Sequence, residues 1–495
     1  MGDDVKQKTV KGMIWKFLEN GGTQGIQFIT SVVLARLLDP TDYSVLTIIV
    51  IFVSLATVFA SRGFSNALVQ NRESGELEYS TVFYFLVAMA VLSYAVLYIA
   101  APFIARAYAE PLVTPSLRTI SLMLFANAFI TVQEARVMRD MAFRKMFAAG
   151  LTAVLVSGVI GITMAYLGYG VWALVAQQIS SRFVLAILLM LLMPWRPQWA
   201  FSFSGLKKLF SYSWKLMTAG LLTTLYDDIS SLIIGKKYLP ETMAYYRKAK
   251  QFPDTIAACL YGASQTALFS TFSSQQDDGD RLRTMLRRSN AGNAFLTFPI
   301  MVGLAVTARP MISLLLTDKW LPSVPYLQIM CVMYAFLTVD EVNLQIVKAV
   351  GRSDSCLYLE VAKKAVGVLL LAVALTLFQT PFAIAICVAL TSVFGVLINM
   401  PVLKKLVGYQ IRQQISDLLP PLVLSLVMGA CVYAVTLLPL SNAAMLLTQI
   451  VLGVAIYVGL SLLFRVDTFF FLLRSLKELK NKQNAESENL EDTKQ

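Results

Sequence analysis

Apolar stretches long enough to cross a lipid bilayer recur from one end of this chain to the other. A helix needs about 20 apolar residues to span the hydrocarbon core of a membrane. The composition agrees, because 57% of the residues are hydrophobic and only 15% are charged, whereas about a quarter of an ordinary soluble protein is charged. The sequence therefore predicts an all-α integral membrane protein and excludes a soluble fold.

These stretches predict about 14 transmembrane helices. The connections between them are short, so no extramembrane domain is expected. Polar residues interrupt the first, fourth and eighth stretches, which makes these three the weakest. The approximate cores are 13–38, 44–70, 81–106, 114–138, 146–168, 170–194, 210–235, 250–273, 288–316, 325–350, 356–378, 381–403, 415–438 and 441–464.

Positively charged loops orient the predicted helices, since the cytoplasmic loops of membrane proteins are enriched in Lys and Arg. With both termini in the cytoplasm, the cytoplasmic segments hold 27 Lys and Arg residues, including those from Lys348 to Lys364, and the opposite side holds ten. The cluster from Lys236 to Lys250 is the exception to this rule. The net charge of +12 is thus assigned to loops, and nucleic acid is not expected as a partner.

The residues that carry most enzyme chemistry are scarce in this chain. Histidine is absent, the five cysteines form no CxxC pair, and the sequence has no GxxxxGK[ST] loop. Histidine is the commonest general base and a frequent zinc ligand, and the loop is the signature of a large class of ATP-hydrolysing proteins. No catalytic residue, metal site or cofactor is therefore expected.

An internal repeat is indicated by two landmarks that stay in register. The pair Trp15-Lys16 reappears at 214–215, and the turn around Pro40 reappears around Pro240. We interpret this as two pseudo-symmetric helical bundles around a central cleft, the usual build of an alternating-access transporter. The predicted divisions are two bundles at 1–205 and 206–410, two further spans at 411–473 and a charged cytoplasmic tail at 474–495.

Four short motifs carry a resemblance to a known family. They are Lys11-Gly12-Met13-Ile14-Trp15-Lys16, Leu34-Ala35-Arg36-Leu37-Leu38-Asp39-Pro40, Gly63-Phe64-Ser65-Asn66-Ala67-Leu68-Val69-Gln70 and Asp318-Lys319-Trp320-Leu321-Pro322. With these motifs the chain resembles the polysaccharide exporters of the multidrug/oligosaccharidyl-lipid/polysaccharide superfamily, in particular the branch of the colanic acid exporter. The resemblance extends over nearly the whole chain. One departure is Tyr43-Ser44, where the family usually has an aromatic residue followed by glycine.

This resemblance implies a two-lobed flippase of 14 helices in the bacterial inner membrane. Such proteins move undecaprenyl-pyrophosphate-linked oligosaccharides from the cytoplasmic to the periplasmic leaflet, for O-antigen, capsule or exopolysaccharide. The expected partners are the lipid-linked oligosaccharide, the lipid bilayer and other polysaccharide-assembly proteins.

Polar and charged side chains inside the predicted spans are the candidates for substrate binding. A central charge costs about 2.5–3.5 kcal/mol in a membrane helix, so several together favour a water-filled cavity. Arginine suits a pyrophosphate, because its planar fork binds two oxygens at once. The lysines have an alternative interpretation, since a lysine near a helix end can extend to the membrane surface. The candidates are Lys16, Arg62, Asn66, Arg182, Lys215 and Lys348.

Coupling to an ion gradient would need a carboxylate that takes up a proton or binds a cation. Lys348 follows Glu341 on the same helical face, and the two residues could instead form a structural ion pair. The sequence leaves a proton, a sodium ion and no coupling ion as alternatives. The candidate carboxylates are Glu19, Glu134, Asp227, Asp340 and Glu341.

Two other functions are weighed against the flippase. A multidrug or cation antiporter of the same superfamily would need an acidic cavity, whereas the candidate residues here are cationic on balance. A membrane-embedded polysaccharide polymerase or glycosyltransferase usually carries a large extramembrane loop with carboxylates or histidines, and this sequence contains no such loop. The sequence favours a transporter that is not an enzyme.

Overall fold

The computed structural model describes residues 21–61, 64–70, 75–140, 142–273, 278–471 and 473–474, and every regular element in these ranges is a helix. Contacts divide the chain into two compact units, Met1–Arg247 and Lys248–Gln495. The predicted boundaries at 205, 410 and 473 stay predictions.

The helices of the first unit follow one another with short connections. They are α1 (21–37), α2 (Pro40–Ser61), α3 (Phe64–Gln70), α4 (Glu76–Tyr108), α5 (Val113–Ile120), α6 (Met123–Arg139), α7 (Phe143–Tyr166), α8 (Val171–Leu192) and α9 (Phe203–Lys237). Helix α10 (Pro240–Ser273) continues across the division into the second unit.

The second unit continues in the same way. Its further helices are α11 (Gly279–Val306), α12 (Ala308–Leu316), α13 (Val324–Ala349), α14 (Ser353–Leu377), α15 (Pro381–Val407), α16 (Ile411–Ala434) and α17 (Asn442–Leu463). Short 3₁₀ turns at Asp318–Ser323 and Val435–Leu437 precede α13 and follow α16.

Local sequence explains where several of these helices begin. The side chains of Ser202, Asp278 and Ser441 accept a hydrogen bond from the backbone N–H three residues further on, at the starts of α9, α11 and α17. Such a cap satisfies one of the N–H groups that the first turn of a helix leaves without a partner. Helices α2, α10 and α15 begin instead at a proline, whose missing N–H costs nothing at that position.

Ten helical segments in the described part of the chain are long and apolar enough to cross a membrane. Each of them coincides with one of the predicted spans, which confirms the all-α membrane fold. The first predicted span begins outside the described residues, and α9, α10 and α14 occupy the remaining three. Helix α14 contains four charged residues, Asp354, Glu360, Lys363 and Lys364. The count of 14 spans stays a prediction.

In the described part of the chain, two predicted spans are interrupted. The fourth is divided between α5 and α6, and the ninth between α11 and α12. At the last break, Pro310 has no N–H to donate to the carbonyl group of Val306, and the helix restarts after Thr307. Hydropathy alone does not show such interruptions, because the residues on both sides are apolar.

The two turns that sequence analysis paired have the same backbone hydrogen bonds. In each turn, two backbone N–H groups donate in the same way. The residue two positions before the proline donates to the carbonyl group four residues earlier. The residue two positions after the proline donates to the carbonyl group of the residue that precedes the proline. The bonds are Leu38 to Leu34 (2.9 Å) and Asp42 to Asp39 (3.1 Å) in the first turn, and Tyr238 to Ile234 (3.0 Å) and Thr242 to Leu239 (2.9 Å) in the second.

The order of helices also repeats along the chain. Helices α7 and α14 begin at Phe143 and Ser353, α8 and α15 begin at Val171 and Pro381, and α6 and α13 end at Arg139 and Ala349. Each of these pairs is separated by 210 residues. We call α1–α8 the first repeat and α9–α15 the second repeat, and α16 and α17 follow them.

Two contacts in the first unit join helix ends that are far apart in the sequence. The hydroxyl of Thr41, at the start of α2, donates to Glu241 at the start of α10 (3.4 Å). The start of α4 meets the end of α6 through an ion pair between Glu76 and Arg136 (2.8 Å), so α4 and α6 are antiparallel. The side of the membrane that each end faces stays a prediction.

Candidate functional site

A cavity of about 450 Å³ lies among α2, α5, α6, α8 and α9 of the first unit. Its volume is within the range of about 300–1,000 Å³ that is usual for small-molecule sites. Apolar residues such as Val50, Met123 and Ile130 form part of its wall. The polar lining is Ser54, Thr57, Asn127, Thr131, Glu134, Gln178, Arg182 and Thr224.

Helical spacing brings this polar lining together. On α6, Asn127, Thr131 and Glu134 are four and three residues apart and therefore share one face. On α8, Gln178 and Arg182 are four residues apart, and both line the cavity. The candidates Glu134 and Arg182 from the sequence thus lie, with polar neighbours on their own helices, around the same space. Thr224 of α9 also lines the cavity and was not singled out in the sequence, although it lies one turn before Asp227 and Asp228 on the same helix.

The hydroxyl groups in the cavity already donate to their own helices. The hydroxyl of Ser54 donates to the carbonyl of Ile51 (2.8 Å), and that of Thr131 donates to the carbonyl of Asn127 (2.8 Å). Their oxygen lone pairs are therefore acceptors toward the cavity. The amides of Asn127 and Gln178 add both donors and acceptors, which is the mixture that sugar hydroxyls need.

Arg182 provides a positive charge in this cavity. Within the described residues no carboxylate pairs with its guanidinium group, although Glu134 lines the same space. An arginine without a fixed counterion retains its donors for an anionic ligand. The cavity therefore combines one cation, Arg182, and one carboxylate, Glu134, with neutral polar groups and an apolar wall.

A second group of polar residues lies inside the second unit, around Asp340 of α13. This carboxylate is 7% exposed. The ammonium group of Lys363 on α14 is 2.8 Å from one carboxylate oxygen and 2.9 Å from the other. Asn399 of α15 donates its amide to the same carboxylate. A Cβ atom on Gly395 would lie 3.4 Å from the carboxylate, which is ordinary van der Waals contact, so α15 packs closely against Asp340 at this point.

Lys363 corrects the loop-charge assignment. The segment from Lys348 to Lys364 is predicted to be cytoplasmic, whereas the structure buries Lys363 beside Asp340. The alternative pair of Glu341 and Lys348 stays a prediction, and Lys348 is exposed near the end of α13. Sequence spacing cannot find the partner of Asp340, since Lys363 is on a different helix.

The residues of the first repeat that correspond to the group around Asp340 are apolar. Subtracting 210 from Asp340, Lys363, Gly395 and Asn399 gives Ile130, Ala153, Leu185 and Leu189. These four side chains are buried together in one apolar cluster of the first unit. At the positions offset by 210 residues, the first repeat thus has an apolar cluster and the second has a buried ion pair with an amide.

The remaining predicted residues lie elsewhere. Asp227 is exposed on α9, and its neighbour Asp228 forms an ion pair with Arg247. That pair partly explains the unusual charge cluster from Lys236 to Lys250, because Arg247 is not a loop charge. The predicted residues Lys16, Glu19 and Arg62, and the side chains of Asn66 and Lys215, lie outside the described residues. No group of three or more potential metal ligands occurs in the part of the chain that the structure describes.

Comparison with known proteins adds independent findings. A family model described as polysaccharide biosynthesis protein matches residues 33–325. The succinoglycan biosynthesis transport protein ExoT of Rhizobium meliloti is 26% identical over 354 residues, which cover 71% of this chain and 72% of ExoT. The lipopolysaccharide biosynthesis protein WzxC of Escherichia coli is 23% identical over 334 residues, which cover 66% of this chain and 67% of WzxC.

A solved structure shows the same fold. The lipid II flippase MurJ in its inward closed conformation matches with a TM-score of 0.74 and 16% sequence identity. The match covers 93% of this chain and 100% of the MurJ chain. At this level of identity the likeness concerns the fold, and the chemistry has to be argued from the residues themselves.

Proposed function

Because this chain belongs to the family of polysaccharide biosynthesis proteins, we propose that it is a flippase for lipid-linked oligosaccharides in the bacterial inner membrane. Its substrate is an undecaprenyl-pyrophosphate-linked repeat unit, which it moves from the cytoplasmic to the periplasmic leaflet for a cell-surface polysaccharide. Other polysaccharide-assembly proteins would supply the repeat unit and use it. The relatives ExoT and WzxC are named for the transport or biosynthesis of such polymers.

The observation that carries this proposal is the polar cavity of the first unit. Arg182 would bind the pyrophosphate, because its charge has no fixed counterion and its fork matches two phosphate oxygens. The amides of Asn127 and Gln178 and the hydroxyl oxygens of Ser54 and Thr131 would bind sugar hydroxyls. An acidic cavity for a cationic drug would lack such an arginine.

We propose further that Asp340 couples transport to an ion gradient. Its carboxylate is buried against Lys363, and the corresponding position of the first repeat is apolar. A proton or a cation that displaces Lys363 from Asp340 would change the charge inside the helical bundle. Such a change can favour one conformation of a transporter over another. Glu134 is the alternative carboxylate within the binding cavity.

Deletion of the gene tests the proposed function. The lipids of the deletion strain are extracted and their glycans are analysed, with a strain that carries the intact gene as the control. The proposal predicts that one lipid-linked oligosaccharide accumulates on the cytoplasmic leaflet and that its polymer disappears from the cell surface. Loss of drug resistance with normal surface polysaccharide would indicate the antiporter instead.

A further inference from the structure

A second cavity, of about 1050 Å³, lies in the second unit among α11, α16 and the residues that follow α17. Its rim is strongly basic. The charged residues that line it are the arginines Arg283, Arg287, Arg288 and Arg465 and the aspartates Asp417 and Asp467. None of these residues lines the polar cavity of the first unit.

Asp417 is fully engaged within the protein. Arg287 donates to both of its carboxylate oxygens, each at 2.8 Å, and the hydroxyl of Tyr409 donates to one of them at 2.7 Å. Burial and the hydrogen bond to Asp417 raise the pKa of Tyr409, so its hydroxyl keeps its proton. Asp417 is thus neutralised by Arg287 and does not repel an anion in the cavity.

Two other arginines retain their charge for a ligand. The guanidinium group of Arg288 lies 5.2 Å above the ring of Phe471, and Arg465 follows the end of α17. Within the described residues no carboxylate pairs with either arginine. Stacking on Phe471 orients Arg288 and leaves its N–H groups available as donors.

The wall of this cavity is apolar and open. It is formed by side chains of α16 and α17, among them Val423, Val427 and Leu460. Val423 and Val427 are 47% and 43% exposed and lie on a helix that is apolar enough to span the membrane. The arginines lie at the start of α11 and after the end of α17, so the charged rim is at one membrane surface and the wall continues into the bilayer.

We propose that this cavity binds an anionic phospholipid, with its phosphate at Arg288 and Arg465 and its acyl chains along Val423 and Val427. Basic pockets at the ends of transmembrane helices bind anionic headgroups through charge-assisted hydrogen bonds. A soluble anion would make no use of the apolar wall. A zwitterionic lipid would bring its cationic group into a cavity lined by four arginines and two aspartates, of which Asp417 is already paired with Arg287. The proposal does not depend on the transported substrate.

Native mass spectrometry of the purified full-length protein tests this site. The protein is incubated with equal amounts of phosphatidylglycerol and phosphatidylcholine, and the bound lipids are counted. The wild-type protein should retain phosphatidylglycerol preferentially. The double variant Arg288→Gln/Arg465→Gln should bind it at least about tenfold more weakly, because each charge-assisted hydrogen bond is worth a factor of about ten or more. Val427→Asn should also weaken binding, since it places a polar group against the acyl chains.

The matched control is Arg281→Gln/Arg412→Gln. It removes two exposed arginines from the starts of α11 and α16, neither of which lines the cavity. This variant should bind phosphatidylglycerol within about twofold of the wild type, since it loses only screened surface charge. Equal binding by the two double variants would overturn the proposal. Displacement of phosphatidylglycerol by millimolar inorganic phosphate would also overturn it and would indicate a site for free anions. Binding of a polyprenyl pyrophosphate more tightly than phosphatidylglycerol would likewise overturn it and would indicate a substrate site.

Discussion

Asp340 and Lys363 form an ion pair where the first repeat has Ile130 and Ala153 in an apolar cluster. Moving charges out of water costs several kcal/mol per ion, and replacing a buried pair by well-packed apolar groups is often neutral or stabilising by about 1–4 kcal/mol. The pair therefore contributes little to stability. Because packing alone does not require a buried ion pair here, we propose that it serves transport, which two sets of variants can test.

The first prediction concerns a variant that copies the first repeat. Asp340→Ile, Lys363→Ala, Gly395→Leu and Asn399→Leu together should leave the unfolding midpoint in detergent equal to or above that of the wild type. The same variant should transport without any response to an imposed ion gradient. Asp340→Asn alone should be less stable than the wild type by up to about 3–5 kcal/mol, because it leaves the buried Lys363 with only Glu360, 3.8 Å away, as a counterion. Normal gradient dependence in the fourfold variant would show that the pair is not the coupling site.

The second prediction concerns Arg182. Arg182→Ala should reduce glycan export in the deletion strain at least about tenfold, because the pyrophosphate would lose a bidentate charged partner. Arg182→Lys should restore part of the export, since the charge remains and the planar fork does not. Arg106→Ala is the control, because Arg106 is exposed and does not line the cavity. Export is measured as surface polysaccharide relative to the amount of the protein. Normal export by Arg182→Ala would remove this arginine from the binding site.

Helices and turns were predictable where the signal is local. The stripe of Asn127, Thr131 and Glu134 follows from spacing along one helix, and the turns at Pro40 and Pro240 follow from proline. Contacts between different helices are not encoded by local spacing, so the sequence could not show that α6 and α8 line the same cavity. The sequence also assigned Lys363 to a loop. A lysine near the start of an apolar stretch has the same sequence pattern whether its side chain is buried or exposed.

The third prediction concerns the orientation of the helices. The start of α11 and the residues after α17 line the same cavity, so both belong on one side of the membrane, and loop charge predicts that this side is the cytoplasm. Reporter fusions at Gly279 and after Lys480 should therefore both indicate the cytoplasm, and a fusion at Tyr169 should indicate the periplasm. A periplasmic signal after Lys480 would imply an odd number of spans and contradict the predicted topology.

For the whole molecule, the two repeats have the same helix order and different buried chemistry. The first repeat contributes Arg182 and most of the polar cavity, whereas the second contains the ion pair of Asp340 and Lys363 at a position that is apolar in the first. We infer that one repeat binds the substrate and the other responds to the ion. The sequence predicted the duplication but not this division of roles, because candidate residues of the same types occur in both repeats.

Transport by the purified protein in vesicles tests the central claim most directly. A fluorescent lipid-linked oligosaccharide from the deletion strain is incorporated in both leaflets, and a membrane-impermeant quencher is added outside. With the wild-type protein, nearly all of the fluorescence should be lost as inner-leaflet lipid reaches the outside, whereas protein-free vesicles should keep the fluorescence of the inner leaflet. A loss of fluorescence no faster than in protein-free vesicles would contradict the account that this chain is a flippase.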